Sequence, residues 1–232
     1  MLKIGVLASG RGSNFQSIID AVKSGFLKAE IKCLISDNPE AYALQRARQN
    51  GIEALHIAPK SFPSKDAFYA HVAGVLKARD VRLVALAGFM RIVGKPLVDA
   101  YPLSIMNIHP ALLPSFKGLH AQRQAVEYGA RVSGCTVHFV DEGMDTGPII
   151  IQAAVAVSPD DTEDTLSERI LRLEHKIYPL AIKLYAEGRL MVEGRCVRIV
   201  DEAGGIAGIN GIAGINGAGE IPPCEFIISP RG

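Results

Sequence analysis

The stretch LKIGVLASGRGSNFQSIIDAVK, residues 2–23, decides the fold. Its opening run, residues 2–8, is apolar enough for a buried strand, and the glycines of SGRGS, residues 9–13, end that strand. From Asn14 to Lys23 the apolar side chains recur every three to four residues, which is the spacing of one helical face. A buried strand, a glycine-rich turn and a helix together form the first half of a βαβ unit.

The same alternation continues through the first half of the chain. Strands are predicted at 30–36, 52–57, 83–87 and 103–108, and helices at 41–50 and 64–78. Alternation of elements at these lengths predicts an α/β fold, with a doubly wound, mostly parallel sheet and helices on both faces. Ligands bind such sheets beyond the carboxyl ends of the strands, so we expect the functional residues in the loops that follow the strands.

The second half of the chain has a different pattern. A loop rich in proline and glycine, residues 109–119, precedes a helix at 121–128, strands at 134–140 and 148–157, a long helix at 163–187 and a small hairpin at 190–199. The sequence GIAGIN then occurs twice in succession, and so glycine-rich a segment opposes formation of a packed core. We therefore predict one domain over residues 1–200 and a flexible tail over residues 201–232.

Composition restricts the class of protein. Lys plus Arg (25) nearly equals Asp plus Glu (24), which gives none of the basic surface of a nucleic-acid or membrane-binding protein. The N-terminus lacks the features of a signal peptide, and no apolar run is long enough to span a bilayer. The four cysteines have the spacing of neither a zinc site nor a disulfide scaffold. We expect a cytoplasmic protein that acts on small molecules without a metal, as a monomer or homodimer.

The loop Gly10-Arg11-Gly12-Ser13-Asn14 is the first candidate site. Glycines allow a tight turn with exposed N–H groups, and the helix that follows presents its positive dipole end to an anion. Phe15 stands where a dinucleotide fingerprint needs its third glycine, and no Gly-Lys-Ser/Thr follows, so the loop suits a single phosphate. The alternative is a structural turn in which a side chain caps the helix.

The second candidate is Asn107-Ile108-His109, at the end of an apolar strand. Residues two apart in a strand point to the same side, so an amide and an imidazole can meet at one developing oxyanion. Histidine also carries protons near neutral pH. The alternative is a structural histidine that fixes the following loop.

The third candidate is the loop Asp141–Pro148, which holds three carboxylates. Its glycine and its last acidic residue do not match the positions of a calcium-binding EF-hand loop. If the loop folds back onto the strand that ends at His109, Asp145 can pair with the imidazole and favour its charged form. The alternative is a solvated acidic turn.

Taken together, these segments resemble the phosphoribosylglycinamide formyltransferase family. The matching stretches are GRGSNFQSIID, SDNPEAYALQRA, LAGFMRIV, MNIHPALLPSFKGLHAQRQAVEYG, GCTVHFVDEGMDTGPII and LEHKIYPLAI, in the family's order over about the first 200 residues. The resemblance implies a Rossmann-like formyltransferase fold, with a phosphate and nucleotide-substrate half at residues 1–100 and a folate and catalytic half at residues 101–200.

The resemblance also implies a role for particular residues. The catalytic group would be Asn107, His109 and Asp145. The substrate would be bound by Gly12, Ser13 and Asn14 and by Leu171, Arg172, Leu173 and Glu174. The folate would be bound by Lys65, Met90, Arg91, Ile92, Val93, Asn107, Asp141, Glu142, Gly143, Met144 and Asp145. Leu171 replaces a residue that is often polar in the family, and Lys65 replaces a frequent arginine, which keeps the charge without the bidentate fork.

The implied activity is transfer of a formyl group from 10-formyltetrahydrofolate, as co-substrate, to the amine of glycinamide ribonucleotide in purine biosynthesis. Formyltetrahydrofolate hydrolase and methionyl-tRNA formyltransferase, two relatives, are rival readings. The phosphate loop favours a small phosphorylated acceptor over both. A further alternative, of a different class, is a phosphate- or folate-binding module without catalysis.

Overall fold

The computed structural model describes residues 1–200 and the backbone of residues 225–228. The described chain forms two compact units. The first contains Met1–Asn107 together with Phe139–Thr146. The second contains Ile108–His138 together with the described residues from Gly147 onward. The chain thus passes from the first unit to the second within one strand, between Asn107 and Ile108.

The first unit alternates strands and helices as predicted. Its elements are β1 (Leu2–Leu7), α1 (Ser13–Lys23), β2 (Ala29–Ser36), α2 (Tyr42–Gln49), β3 (Glu53–His56), a 3-10 turn (Pro59–Ser61), α3 (Lys65–Lys77), β4 (Leu83–Leu86), α4 (Lys95–Ala100) and β5 (Ile105–His109), whose last residues belong to the second unit. The strands pair in the order β3-β2-β1-β4-β5, and every pair is parallel. Their carboxyl ends therefore share one edge, where the loops after β1, β2 and β4 lie together.

The core of the first unit explains why β1 and β4 are mostly apolar. Strands β1 and β4 are buried along nearly their whole length. A cluster of aliphatic and aromatic side chains packs between them and α3, including Val72, Leu76 and Leu86. The helix α4 is not among the predicted elements, because it is only 6 residues long and has a proline in its first turn, too short for a helical period to be visible.

The second unit contains the longer elements. They are α5 (Ala121–Tyr128), β6 (Val132–Phe139), β7 (Ile149–Ala156), α6 (Glu163–Ala186), β8 (Leu190–Glu193), β9 (Cys196–Ile199) and β10 (Glu225–Ile228). Strands β6 and β7 are antiparallel, β7 and β9 are parallel, and β8 and β9 form the predicted hairpin. Strand β10 pairs antiparallel with β7. The predicted α/β class with a mostly parallel sheet is confirmed.

Helix α6 begins at a dense polar cap. Thr162 and Thr165 form a reciprocal capping box, and Asp161 accepts hydrogen bonds from the Ser158 N–H and from the Arg169 guanidinium. These bonds hold the pKa of the Asp161 carboxyl well below its usual range. The helix then continues through Pro179 as a single element of 24 residues.

The tail prediction lies largely outside the described residues. The two GIAGIN copies, at residues 205–216, are among those not described, so the flexible tail stays a prediction. The division of residues 1–200 into two functional halves also stays a prediction. Within the described part of the chain, no helix combines the length and apolarity needed to cross a bilayer.

Candidate active site

The loop after β1 is shaped by Gly12. This residue is the N-cap of α1 and has the left-handed conformation, with φ of 68°, that glycine adopts readily. A Cβ at this position would lie 2.8 Å from the Cβ of Ala43 in α2. Both the dihedral angle and the close approach of α2 therefore require glycine here.

Backbone contacts hold the rest of this loop against α2. The Ala43 N–H donates to the Gly10 carbonyl at 3.1 Å, and Arg46 Nε donates to the Arg11 carbonyl at 2.9 Å. The N-cap is Gly12, which has no side chain to cap the helix. The phosphate-binding role of the loop stays a prediction. The first N–H groups of an 11-residue helix, with its dipole, are suited to an anion.

The segment after β4 borders a cavity of about 590 Å³. The cavity brings together four residues predicted to bind folate, namely Lys65, Met90, Arg91 and Ile92, with Pro59, Lys60, Phe62, Ser64, Phe68 and Tyr69. Val93, also predicted to bind folate, lies in the adjoining core and is buried. The lining thus combines apolar and aromatic surface with three cations, which suits a flat, partly anionic ligand.

The aromatic wall of this cavity is well packed. The rings of Phe62 and Phe68 meet edge to face at 5.6 Å, and those of Phe68 and Tyr69 at 4.9 Å. Lys65 Nζ lies 5.9 Å from the centre of the Tyr69 ring, within the range of a cation–π contact. The lysine is thereby kept at the cavity wall, next to the residues predicted to contact folate.

Long-range side-chain bonds fix the segment Met90–Gly94. The Met90 N–H donates to Ser9 Oγ at 3.0 Å, and the Tyr69 hydroxyl donates to the Ile92 carbonyl at 3.0 Å. The guanidinium of Arg91, which is 47% exposed, pairs with the carboxylate of Asp37, which is only 9% exposed. Sequence reasoning gave Ser9, Asp37 and Tyr69 no role, because their contacts with this segment are distant in sequence.

The acidic loop Asp141–Thr146 is ordered rather than merely solvated. Asp141 Oδ1 accepts hydrogen bonds from the Gly143 N–H and from the Thr146 hydroxyl. Lys95 Nζ reaches both Glu142 and Asp99 at 2.9 Å, and these partners raise its pKa. Asp145 has a positive φ of 52°, uncommon outside glycine, so its carboxylate is presented from a strained turn. The catalytic and folate-binding roles of this loop stay predictions.

Asn107 and His109 both stand on β5. Asn107 is half-buried, and His109 is 4% exposed. In the second unit, His109 Nε2 lies 2.8 Å from the carbonyl of Phe116 and donates to it, which fixes the plane of the imidazole. Phe116 has a positive φ of 50°, so the carbonyl that orients the histidine comes from a strained loop.

The segment Leu171–Glu174 lies within α6 of the second unit. Leu171 is half-buried, Arg172 is exposed and Leu173 belongs to the core. Glu174 is 6% exposed, an uncommon setting for a carboxylate. Burial of the Cys135 thiol, and secondly the nearby charge of Glu174, raise the pKa of that thiol. A buried acid of this kind is a candidate ligand-binding group.

The described residues include no group of three or more histidine, cysteine and acidic side chains that could hold a metal ion. The groups assembled by the first unit are instead an anion-binding helix start and an aromatic cavity with a cationic rim. The helix start follows β1 and the cavity segment follows β4, and these two strands pair with each other. This arrangement, in an α/β protein, is suited to an anion beside a flat organic ligand.

Comparison with known proteins identifies the family. The model of the formyl transferase family matches residues 2–182, and the chain belongs to that family. The resemblance inferred from the sequence is confirmed. The chain is also 46% identical over 183 residues to phosphoribosylglycinamide formyltransferase of Bacillus subtilis, an alignment covering 79% of this chain and 94% of that protein.

A second kind of relative is much longer. The chain is 46% identical over 192 residues to the trifunctional purine biosynthetic protein adenosine-3 of Drosophila melanogaster, and the match covers 82% of this chain but 14% of that protein. Among solved structures, glycinamide ribonucleotide transformylase 1 of Symbiobacterium toebii superposes with a TM-score of 0.86 at 55% identity, covering 87% of this chain and 95% of that one. The phosphoribosylglycinamide formyltransferase of Coxiella burnetii, solved with CHES, gives 0.81 at 39% identity, over 88% and 98% of the two chains.

Proposed function

We propose that this chain transfers the formyl group of 10-formyltetrahydrofolate to the amine of glycinamide ribonucleotide, in de novo purine biosynthesis. The products are formylglycinamide ribonucleotide and tetrahydrofolate. One observation carries the proposal. Ser9, which immediately precedes the loop Gly10–Asn14, joins that loop directly to the segment that follows β4. Its N–H donates to the Gly88 carbonyl, and its Oγ accepts from the Met90 N–H, each at 3.0 Å. The named relatives of similar length act in the same reaction class.

The ribonucleotide is bound through its phosphate. The N–H groups at the start of α1, from Gly12, Ser13 and Asn14, are the donors we assign to that phosphate. In the second unit, the buried carboxylate of Glu174 is the acceptor we assign to the substrate's N–H or hydroxyl groups. Leu171 can add only an apolar contact at its position, and Leu173 serves the core around Glu174.

The folate is bound through its flat rings and its acidic end. Met90, Ile92 and the neighbouring backbone of Val93 are assigned to the rings, because they offer apolar surface beside backbone polar groups. Lys65 and Arg91 supply positive charge at the same cavity. The loop Asp141–Asp145, with Asn107, completes the assigned folate site.

The reaction is an acyl transfer through a tetrahedral intermediate. The substrate amine attacks the formyl carbon, and the carbonyl oxygen becomes an oxyanion, which the Asn107 amide and the charged imidazole of His109 stabilise. Asp145 is the carboxylate that we assign to orient that imidazole, as the family resemblance implies. Collapse of the intermediate breaks the bond from carbon to the folate nitrogen, and the proton lost by the amine passes to that nitrogen. Holding both substrates together removes much of the entropic cost of a bimolecular step.

Alanine variants at the three assigned catalytic positions test the mechanism. Formyl transfer is followed by the absorbance change on folate release in Asn107→Ala, His109→Ala and Asp145→Ala, each checked for folding. We expect kcat to fall by about 10²- to 10⁴-fold in each, the range of lost proton transfer or oxyanion stabilisation. His56→Ala, at an exposed histidine of β3, is the matched control and keeps normal turnover. Wild-type turnover in all three catalytic variants contradicts the assignment.

The acceptor is tested by omitting the ribonucleotide from the same mixture. A hydrolase releases formate without it, whereas the proposed enzyme releases folate only when it is present. A binding module without catalysis releases folate under neither condition. We infer that the enzyme works in the cytoplasm, which agrees with free thiols at Cys33, Cys135 and Cys196. Gel filtration distinguishes a monomer from a homodimer.

A further inference from the structure

The segment Met90–Gly94 offers large apolar side chains to solvent. Met90 is 62% and Ile92 is 52% exposed, and both line the aromatic cavity. Exposed apolar groups on a loop bind a flat ligand well only if the backbone is already held in the bound shape, because ordering it on binding costs free energy. A residue that holds this backbone therefore controls the affinity for that ligand.

We propose that Tyr69 is the positioning residue that fixes the folate-binding segment Met90–Gly94. The proposal rests on the proposed function for its ligand. Tyr69 belongs to α3, and its hydroxyl donates to the carbonyl of Ile92 at 3.0 Å across 23 residues of sequence. The donor thus acts on the centre of the segment from a helix that is itself rigidly packed.

The ring of Tyr69 adds a second constraint. A Cβ at Gly94 would collide with this ring, so the ring lies directly against the Gly94 backbone. Tyr69 therefore touches the segment at two points, through its hydroxyl at Ile92 and through its ring at Gly94. Between them lies Val93, whose side chain enters the core.

The environment keeps the hydroxyl a donor. Tyr69 is buried in the core of the first unit, its ring is held edge to face by Phe68, and burial raises its pKa well above the usual range. The hydroxyl stays protonated at every pH at which the protein works. Titration of the phenol therefore does not break the hydrogen bond to Ile92 near neutral pH.

Tyr101 provides a matched control in the same core. It is buried in the cluster that contains Tyr69, and its hydroxyl has no hydrogen-bond partner among the described residues. Removing a buried hydroxyl without a partner leaves nothing unpaired, whereas removing the Tyr69 hydroxyl leaves the Ile92 carbonyl without its donor. The two changes are chemically identical and differ only in whether they release the segment.

The decisive experiment compares Tyr69→Phe with Tyr101→Phe in steady-state formyl transfer. For Tyr69→Phe we expect KM for 10-formyltetrahydrofolate to rise about three- to tenfold, the range that one hydrogen bond of this kind supports, with kcat and KM for the ribonucleotide unchanged. Tyr101→Phe leaves all three parameters unchanged. A purely structural role for Tyr69 lowers thermal stability and leaves both KM values unchanged, and this result overturns the proposal.

A readout independent of activity separates this inference from the proposed function. In the protein without ligand, hydrogen–deuterium exchange of the amides at 90–94 accelerates in Tyr69→Phe and not in Tyr101→Phe. Equal exchange in the two variants overturns the positioning role, even if activity changes. If wild-type protein transfers no formyl group, the proposed function fails. The inference is then decided by exchange and by calorimetric titration with tetrahydrofolate, whose Kd must rise in Tyr69→Phe alone.

Discussion

Two loops at the same edge of one parallel sheet are fixed in different ways. The loop Gly10–Asn14, after β1, is held by backbone geometry, with a left-handed glycine and main-chain carbonyls that accept from α2. The loop Met90–Gly94, after β4, is held by side chains from three separate places in the chain, Ser9, Asp37 and Tyr69. The first loop is held mainly through its own main chain, which accepts hydrogen bonds from α2, whereas the second is held mainly by side chains distant in sequence.

This difference indicates how each of the two ligands can be recognised. A phosphate has the same shape and charge in every substrate, so a rigid backbone site suits it. A folate is larger and is contacted by side chains, so its site can be adjusted through the residues that support it. We therefore expect changes in the first loop to act sharply and locally, and changes around the second to be graded.

The largest effect on KM is expected from Gly12→Ala. A side chain here must take a left-handed conformation and push against Ala43, so the loop must move away from its phosphate-binding shape. We expect KM for the ribonucleotide to rise at least about tenfold, and the free energy of unfolding to fall by about 1–3 kcal/mol. Steady-state kinetics and urea unfolding measure the two changes.

The control for that variant is Gly25→Ala. Gly25 has a similar φ of 77°, but a Cβ there meets nothing within 4 Å. This variant has the conformational strain without the crowding, so it should lose about 1 kcal/mol of stability and keep its KM. If Gly12→Ala also keeps its KM, the phosphate does not bind at this loop.

The next effect is on stability and is expected at the ion pair between Arg91 and Asp37. Arg91→Ala leaves a buried carboxylate without its cation and should lower the free energy of unfolding by about 2–4 kcal/mol. Asp37→Asn leaves a half-exposed guanidinium that water can solvate, so its loss should be about 1 kcal/mol. Urea unfolding of both variants tests this asymmetry, and equal losses would show that the burial of Asp37 has no energetic role.

The smallest effect is expected from Lys95→Ala. Lys95 bridges Asp99 and Glu142 on the surface, where solvent and salt screen the ion pairs. The hydrogen bonds within the loop, from the Gly143 N–H and the Thr146 hydroxyl to Asp141, remain. We expect kcat/KM at physiological salt to change by less than about twofold. A tenfold loss would show that the position of Asp145 depends on the surface bridge.

The sequence predicted most elements because apolar period and turn residues are local signals. The bounds of α1, β4 and the β8–β9 hairpin were predicted to within one or two residues, while α4 and the 3-10 turn were too short to show a period. The residues Lys65, Met90, Arg91 and Ile92 were expected from the family resemblance alone, and the cavity does bring them together. Their roles, like those of Asn107, His109 and Asp145, stay predictions.

The α/β class, the family and the glycine loop at the start of α1 could be predicted from the sequence. Each depends on short patterns of residues that are neighbours along the chain. The contacts that hold the loop Met90–Gly94, by contrast, are visible only in the tertiary structure. Tyr69 reaches Ile92, and Asp37 reaches Arg91, only after the parallel strands have brought their carboxyl ends to one edge. No local pattern encodes such a contact. A buried tyrosine looks the same in the sequence whether its hydroxyl has no partner among the described residues, as in Tyr101, or fixes a binding segment, as in Tyr69.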